Sequence, residues 1–219
     1  MKHKKVNEGL ETLISKDQWA HESEIQGNDL TVLRSPIMEK AFNRIVELHK
    51  RRHELAIFGL CTATRPYSKS RSWGARIKLW ADQADLIITS NGGVIPIEFE
   101  NCYPYLTYDA HGESKYDAPY IATLARRLET FLRAHPYRFV FFHYRHNLRN
   151  VKAAQIVGRK LKKESVIEDY ATLPSAQDYE QARREGFIKK GFMMYPELYP
   201  CMMESAQRQV NEFLRRLQK

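Results

Sequence analysis

The 219-residue chain has no apolar run approaching the ~20 residues of a membrane-spanning helix, and Met1-Lys-His-Lys-Lys5 lacks the apolar stretch of a signal peptide. A cytoplasmic protein with no membrane partner is the expectation. Cysteine is scarce: Cys61, Cys102 and Cys201 are odd in number, far apart and nowhere spaced as Cys-x-x-Cys. This argues against a disulfide framework and against a zinc site. The glycine-rich loop ending in Gly-Lys-Ser/Thr that cradles nucleotide phosphates is missing, so nucleotide hydrolysis finds little support. No internal repeat or low-complexity tract is present. Negative charge is the last deficit, because 26 Asp+Glu face 35 Lys+Arg and leave a formal net charge of +9. An anionic partner, tRNA or another nucleic acid, is the expected counterpart; a merely basic soluble protein would carry the same balance.

What is there fits one main globular domain: 43% hydrophobic and 28% charged residues over a length that can bury a sizeable core. Residues 1–34 read as an N-terminal arm, 35–170 as an α/β core and 171–219 as C-terminal helices packed on it. Ser35-Pro36 supplies an N-cap with proline at the first helical position, and the spacing of Ile37, Ala41, Ile45 and Leu48 predicts a helix to about Arg51. The runs Leu55–Leu60, Asp85–Ser90 and Tyr137–Arg145 predict strands. Shorter strands are predicted at Tyr105–Asp109 and Val166–Tyr170. Helices are predicted over 72–82, 119–135, 147–163, 176–190 and 196–217. Strands alternating with helices at this spacing predict a three-layer α/β/α sandwich with a mostly parallel sheet.

Such sheets bind ligands beyond the carboxyl ends of their strands, which singles out the segment that follows Leu55–Leu60. Cys61-Thr-Ala-Thr-Arg65-Pro-Tyr67-Ser-Lys-Ser70-Arg-Ser-Trp73 crowds a thiol, hydroxyls, a phenol and cations into one loop opening a helix. Arg65, Lys69 and Arg71, with Ser68, Ser70 and Ser72, could hold an anion at the helix start before Trp73. Cys61, close to these cations, is a candidate nucleophile; a small buried thiol is the competing reading. Ser90-Asn91-Gly92-Gly93 is a second strand end, where glycine permits close approach of a ligand, although a tight turn needs the same residues. Glu98 is an acid/base candidate, with Glu100 its equal. His143 and His146 end the third strand, His143 as a ligand contact or a core histidine, and neither has the neighbours of a metal site. Neither a metal nor a cofactor is required by any motif. Cationic residues recur on the predicted helices and beyond, at Arg126-Arg127, Arg145, Arg149, Lys152, Arg159-Lys160, Lys162-Lys163, Arg183-Arg184, Lys189-Lys190 and Arg215-Arg216. They suit an RNA surface or a set of solvated helix faces.

The stretch Leu60–Trp73 resembles the conserved core domain of archaeosine synthase, a relative of the tRNA-guanine transglycosylases. The family signature reads Pro-Cys, three residues, Lys-Pro-Tyr, two residues, Ser, two residues, His. Cys61, Pro66, Tyr67 and Ser70 match it, while Leu60, Arg65 and Trp73 stand in place of proline, lysine and histidine. Ser35–Phe42 is similar to the family's preceding helix, and Asp85–Asp109 to a second block in which Gly-Val-x-Pro-x-Glu leads to Tyr-Pro and Asp. The resemblance spans roughly residues 35–160.

What the resemblance implies is a fold similar to the uracil-DNA glycosylase superfamily. The implied activity adds a lysine amine to the nitrile of 7-cyano-7-deazaguanine in tRNA. By that analogy Cys61 approaches the nitrile carbon, and Glu98 or Asp109 holds the amino group. Arg65, Tyr67 and Ser70 position the substrate, with Trp73, Ser90, Asn91, Gly92 and His143 as further contacts. The larger family enzyme also carries transglycosylase-like and RNA-binding domains, so a transglycosylase-type protein is an expected partner. The alternatives are a non-catalytic nucleic-acid-binding module and a base-glycosylase-like enzyme.

Overall fold

In the computed structural model, the residues described are 25–105, 108–110, 117–144, 148–173, 184, 188–189, 192–193 and 200–219. Strand β1 (Gln26–Gly27) leads into helix α1 (Asp29–Leu33), which Asn28 caps by accepting the Thr31 N–H through its side chain at 2.9 Å. Helix α2 (Pro36–Leu48) starts with Pro36 in its first turn, where the missing N–H costs nothing, and buries Ile37, Met38, Ala41, Phe42 and Ile45. Strand β2 (Leu55–Leu60) follows, then a short 3-10 turn (Tyr67–Lys69) and helix α3 (Arg71–Trp80). Strands β3 (Asp85–Ser90) and β4 (Gly93–Pro96) form a hairpin across Asn91-Gly92.

Strand β5 (Asp109–Ala110) pairs in parallel with β1, and helix α4 (Asp117–Ala134) precedes strand β6 (Phe139–His143). Helix α5 (Leu148–Lys163), strand β7 (Asp169–Leu173), the short strands β8 (Ile188–Lys189) and β9 (Phe192–Met193), and helix α6 (Pro200–Leu217) complete the described elements.

The main sheet has five strands in the order β4-β3-β2-β6-β7, all parallel except β4. Its central strands β2, β3 and β6 are buried along nearly their whole length because both faces are covered. Phe58 meets Phe131 of α4 edge-on at 6.3 Å on one face, where α2, α4 and α5 lie. On the other face Phe139 stacks on Phe213 of α6 at 4.9 Å, and Trp80 of α3 donates to Gln207 of α6 at 3.0 Å. The result is the expected three-layer α/β/α sandwich.

Three predicted elements are shifted. The helix over 176–190 does not reach its predicted end, since Ile188–Lys189 pairs antiparallel with Phe192–Met193. Of the strand predicted at Tyr105–Asp109, Asp109 joins β5, Tyr105 and Tyr108 bury their rings, and residues 106–107 lie outside the described set. The last sheet strand starts at Asp169 rather than Val166, after Ser165 at φ +57° turns the chain out of α5. Of the predicted arm, residues 25–34 pack on α4 and β5, and residues 1–24 lie outside the described set.

Candidate active site

Parallel pairing brings the carboxyl ends of β2, β3 and β6 to one edge, with Leu60 opposite Thr89 and Gly59 opposite His143. Cys61 sits on that edge, its N–H bonded to Thr89 O at 2.9 Å and its side chain half-buried. The loop after it is tied down twice. Ser68 N–H donates to Glu100 at 2.8 Å, and Ser70 caps α3 by accepting the Trp73 N–H at 3.2 Å. Ser70 is therefore a helix cap, buried and committed to the backbone.

Beside Cys61 lies a cluster of phenols. Tyr67 OH and Tyr108 OH are 2.8 Å apart, and the Ser90 hydroxyl also bonds Tyr108. Arg65 donates to the Tyr108 carbonyl and holds its guanidinium 4.0 Å from the centre of that ring. Tyr120 OH reaches Asn91 and Asn150, each at 3.4 Å, while Arg149 stacks 4.0 Å over the Tyr120 ring. Burial raises the pKa of all three phenols, and proximity to Cys61 raises each further; Arg65 partly offsets this at Tyr108. Tyr67, Tyr108 and Tyr120 thus stay protonated at neutral pH and serve as hydrogen-bond donors.

The turn Asn91-Gly92-Gly93 is braced from beneath by Arg127, a fully buried guanidinium that donates to Gly92 O at 2.8 Å, Leu33 O at 2.7 Å and Glu39 at 2.9 Å. Neither an RNA surface nor a solvated helix face, the two readings the sequence offers for Arg127, fits this buried position. Gly92 is crowded by Ser90, Tyr105 and Tyr108, each within 3.3 Å of where a Cβ would stand. The edge thus assembles Cys61, Arg65, Tyr67, Ser90, Asn91 and Gly92.

Other expected site residues lie elsewhere. Because β4 runs antiparallel to β3, Glu98 returns to the opposite edge of the sheet, about 17 Å away by the ~3.3 Å rise of strand residues. There it lies 2.7 Å from His49 Nδ1, whose Nε2 is 2.8 Å from Tyr137 OH, and Tyr137 donates to Asp85 at 3.0 Å. Glu98 is therefore too far from Cys61 to hold an amine beside it.

Trp73 is wholly buried, donates its indole N–H to Leu60 O at 2.9 Å and packs where a Gly59 Cβ would stand, 2.8 Å from its ring. It is a core residue, not a ligand contact. His143 faces the α3 side, with Phe141 stacked at 5.6 Å and Trp80 edge-on at 5.7 Å. Burial, reinforced by Arg76, pushes its pKa well down, so it is a neutral core imidazole. The backbone of Asp109 pairs with Gln26; the side chains of Asp109 and Cys201, and residues Arg145 and His146 entirely, are outside the described set. Cys102 is buried.

Sequence reasoning missed Tyr108, Tyr120 and Asn150. Tyr108 lies within the second block, Asp85–Asp109, but spacing alone gives no link to Tyr67. Among the described residues no group of three His, Cys, Asp or Glu side chains could hold a metal ion, and no helix is long and apolar enough to cross a membrane.

No curated protein matches the sequence. One solved structure that it resembles is titled AF0587, a protein of unknown function, with a TM-score of 0.46 and 20% identity over 74% of this chain and 55% of that one. The chain thus spans about half the length of that protein. The model of a family described as a domain of unknown function, DUF5591, matches residues 38–179, which hold every residue of the phenol-lined edge, and the chain belongs to that family.

Proposed function

We propose that the protein modifies a nucleobase in RNA, taking a nitrile-bearing deazaguanine at the carboxyl edge of the sheet and joining an amine such as lysine to it. The observation that carries this reading is that one strand edge holds the thiol of Cys61, bonded through its N–H to Thr89 O, together with the Tyr67–Tyr108 phenol pair at 2.8 Å and Tyr120 on Asn91. A nitrile carbon is activated by proton delivery to its nitrogen, and neutral phenols are competent donors where carboxylates are not. The signature match at Cys61, Pro66, Tyr67 and Ser70 supports the same chemistry.

In this reading the thiol adds across the carbon–nitrogen triple bond. A sulfur–carbon bond forms, one π bond breaks, Tyr108 delivers a proton to nitrogen, and the thiol proton returns to the phenol pair. The amine then attacks the same carbon; the carbon–sulfur bond breaks, the thiol is restored and an amidine remains. No oxidant, reductant or cofactor enters the balance. The Asn91 side-chain amide offers hydrogen-bonding groups to the base edge, Gly92 leaves room for the base to approach, and Arg65 with Tyr108 offers a flat cationic surface.

The test is incubation with tRNA carrying 7-cyano-7-deazaguanine and with lysine, with and without a transglycosylase-type protein, followed by mass spectrometry of the nucleosides. A lysine adduct that disappears in Cys61→Ala is expected. Turnover unchanged in Cys61→Ala eliminates the covalent step, and no adduct under any condition removes the reaction. The second reading, a binding module without catalysis, is favoured by Trp73: the position of the signature histidine faces the core and offers nothing to a ligand. Tight tRNA binding without any adduct is its expected result.

A further inference from the structure

The cations that recur in the second half of the chain, from Arg126 to Arg216, divide once their surroundings are known. Arg127 and Arg149 are buried, Arg149 against Asp29 and Asp117. Arg126 pairs with Glu39, Lys160 with Glu129, Lys162 with Asp169, Arg215 with Glu212, and Arg216 with Glu168 and Asp169. Three members of the sequence list remain exposed with no carboxylate within ion-pair distance among the described residues: Lys152, Arg159 and Lys163. All three are on α5.

Their spacing of seven and then four residues places them within about 40° of one line along the helix, over about 16 Å at the ~1.5 Å rise per residue. Ile156 falls on the same stripe and is 47% exposed, with Leu79 one of two exposed large apolar side chains among the described residues. The opposite face of α5 buries Ala153, Ala154, Val157 and Leu161 against the sheet and α4. The first turn of α5 lies at the carboxyl edge that bears the candidate site, since the helix follows β6 and its Asn150, on the buried face opposite the stripe, shares the Tyr120 hydroxyl with Asn91.

We infer that this face of α5 is the track that holds the phosphate backbone of the RNA whose base enters at Cys61. The inference rests on the proposed reading for the identity of the polyanion, and it adds the surface. A straight row of unpaired cations matches a linear polyanion, because each phosphate neutralised releases condensed counterions. A single exposed Ile is too little apolar area for a membrane surface. An acidic protein segment would share the charge but not the connection to a base-sized site.

The experiment measures binding of a fluorescein-labelled unmodified tRNA transcript by anisotropy across a salt series, for the full chain and two triple variants. One is Lys152→Gln/Arg159→Gln/Lys163→Gln. The other removes the same charge at the exposed Lys40, Lys50 and Lys78 on α2, the loop after it and α3. The α5 variant is expected to lower the log–log salt slope by about 2 and to bind on the order of 100-fold more weakly at ~0.1 M salt, at ~0.7 per phosphate contact. The control is expected to keep the wild-type slope, and thermal unfolding to show both variants folded.

Equal losses in both variants, an unchanged slope in the α5 variant, or no tRNA binding by the wild type overturns the track. So does equal competition by polyglutamate and unlabelled tRNA at matched charge. The nucleoside assay is independent: RNA can bind on α5 without a lysine adduct forming, and an adduct can form while the track assignment fails.

Discussion

Gly93 has a backbone φ of +109°, in the region that side-chain-bearing residues avoid, and a Cβ there would stand 2.4 Å from Arg127 Nη1. Two costs therefore add in Gly93→Ala: a strained backbone of about 1–3 kcal/mol, and displacement of a guanidinium that has no room to move because Gly92 O, Leu33 O and Glu39 hold it. Chemical denaturation should show a loss of at least ~1–3 kcal/mol. An unchanged midpoint would mean that Arg127 does not brace this turn. The glycine pair was legible in the sequence because few other residues suit so tight a turn. Arg127 was not, since an arginine next to another on an amphipathic helix reads as solvent-facing until the carbonyls that surround it are known. Trp73 and His143 failed for a related reason: the end of a strand or the start of a helix has a side that faces inward, and position in the chain does not say which. Glu98 failed because an antiparallel β4 reverses the edge at which the next residue emerges.

At the scale of elements, period and punctuation carried the reading, as Pro36 opens α2 and unbroken apolar runs become β2 and β3. Boundaries moved by a few residues where capping decided them: α3 starts at Arg71 because Ser70 bonds the Trp73 N–H. What the sequence did not disclose is why α5 tolerates Gly158 in its middle. A Cβ at Gly158 would come within 2.4 Å of the Tyr170 ring of β7, so the glycine is what lets helix and edge strand approach. In isolation Gly→Ala inside a helix gains about 1 kcal/mol. Gly158→Ala should instead destabilise the protein, and the same change made in a Tyr170→Ala background should stabilise it by up to ~1 kcal/mol, a reversal of sign seen in a double-mutant cycle. If Gly158→Ala stabilises the wild type, the two elements are not in the contact described.

The whole molecule packs six tyrosines, Tyr67, Tyr105, Tyr108, Tyr120, Tyr137 and Tyr144, so deeply that desolvation raises every one of their pKa values above the ordinary value of 10.0. The twelve tyrosines of the sequence do not by themselves reveal which are buried, because burial follows from the layers closing over both sheet faces and over the loops at the carboxyl edge. The sign of the consequence is fixed. A group whose folded pKa lies above its unfolded one holds its proton in the native state while the unfolded chain loses it, so the unfolded state binds fewer protons and stability falls as pH rises. Below about pH 10 these residues contribute their full share; above it each removes up to about 1.4 kcal/mol per pH unit. Urea unfolding should therefore give a stability with little tyrosine contribution to its slope between about pH 8 and 9, followed by a steep loss above about 10. Tyrosinate absorbance from the six should appear only with the loss of circular dichroism. Replacing Tyr137 or Tyr144 with Phe should make the alkaline limb shallower by about one proton, provided the variant stays folded at neutral pH. Full tyrosine titration with the fold intact would place these phenols in contact with solvent, and would remove the protonated donors from beside Cys61 along with the buried core they share.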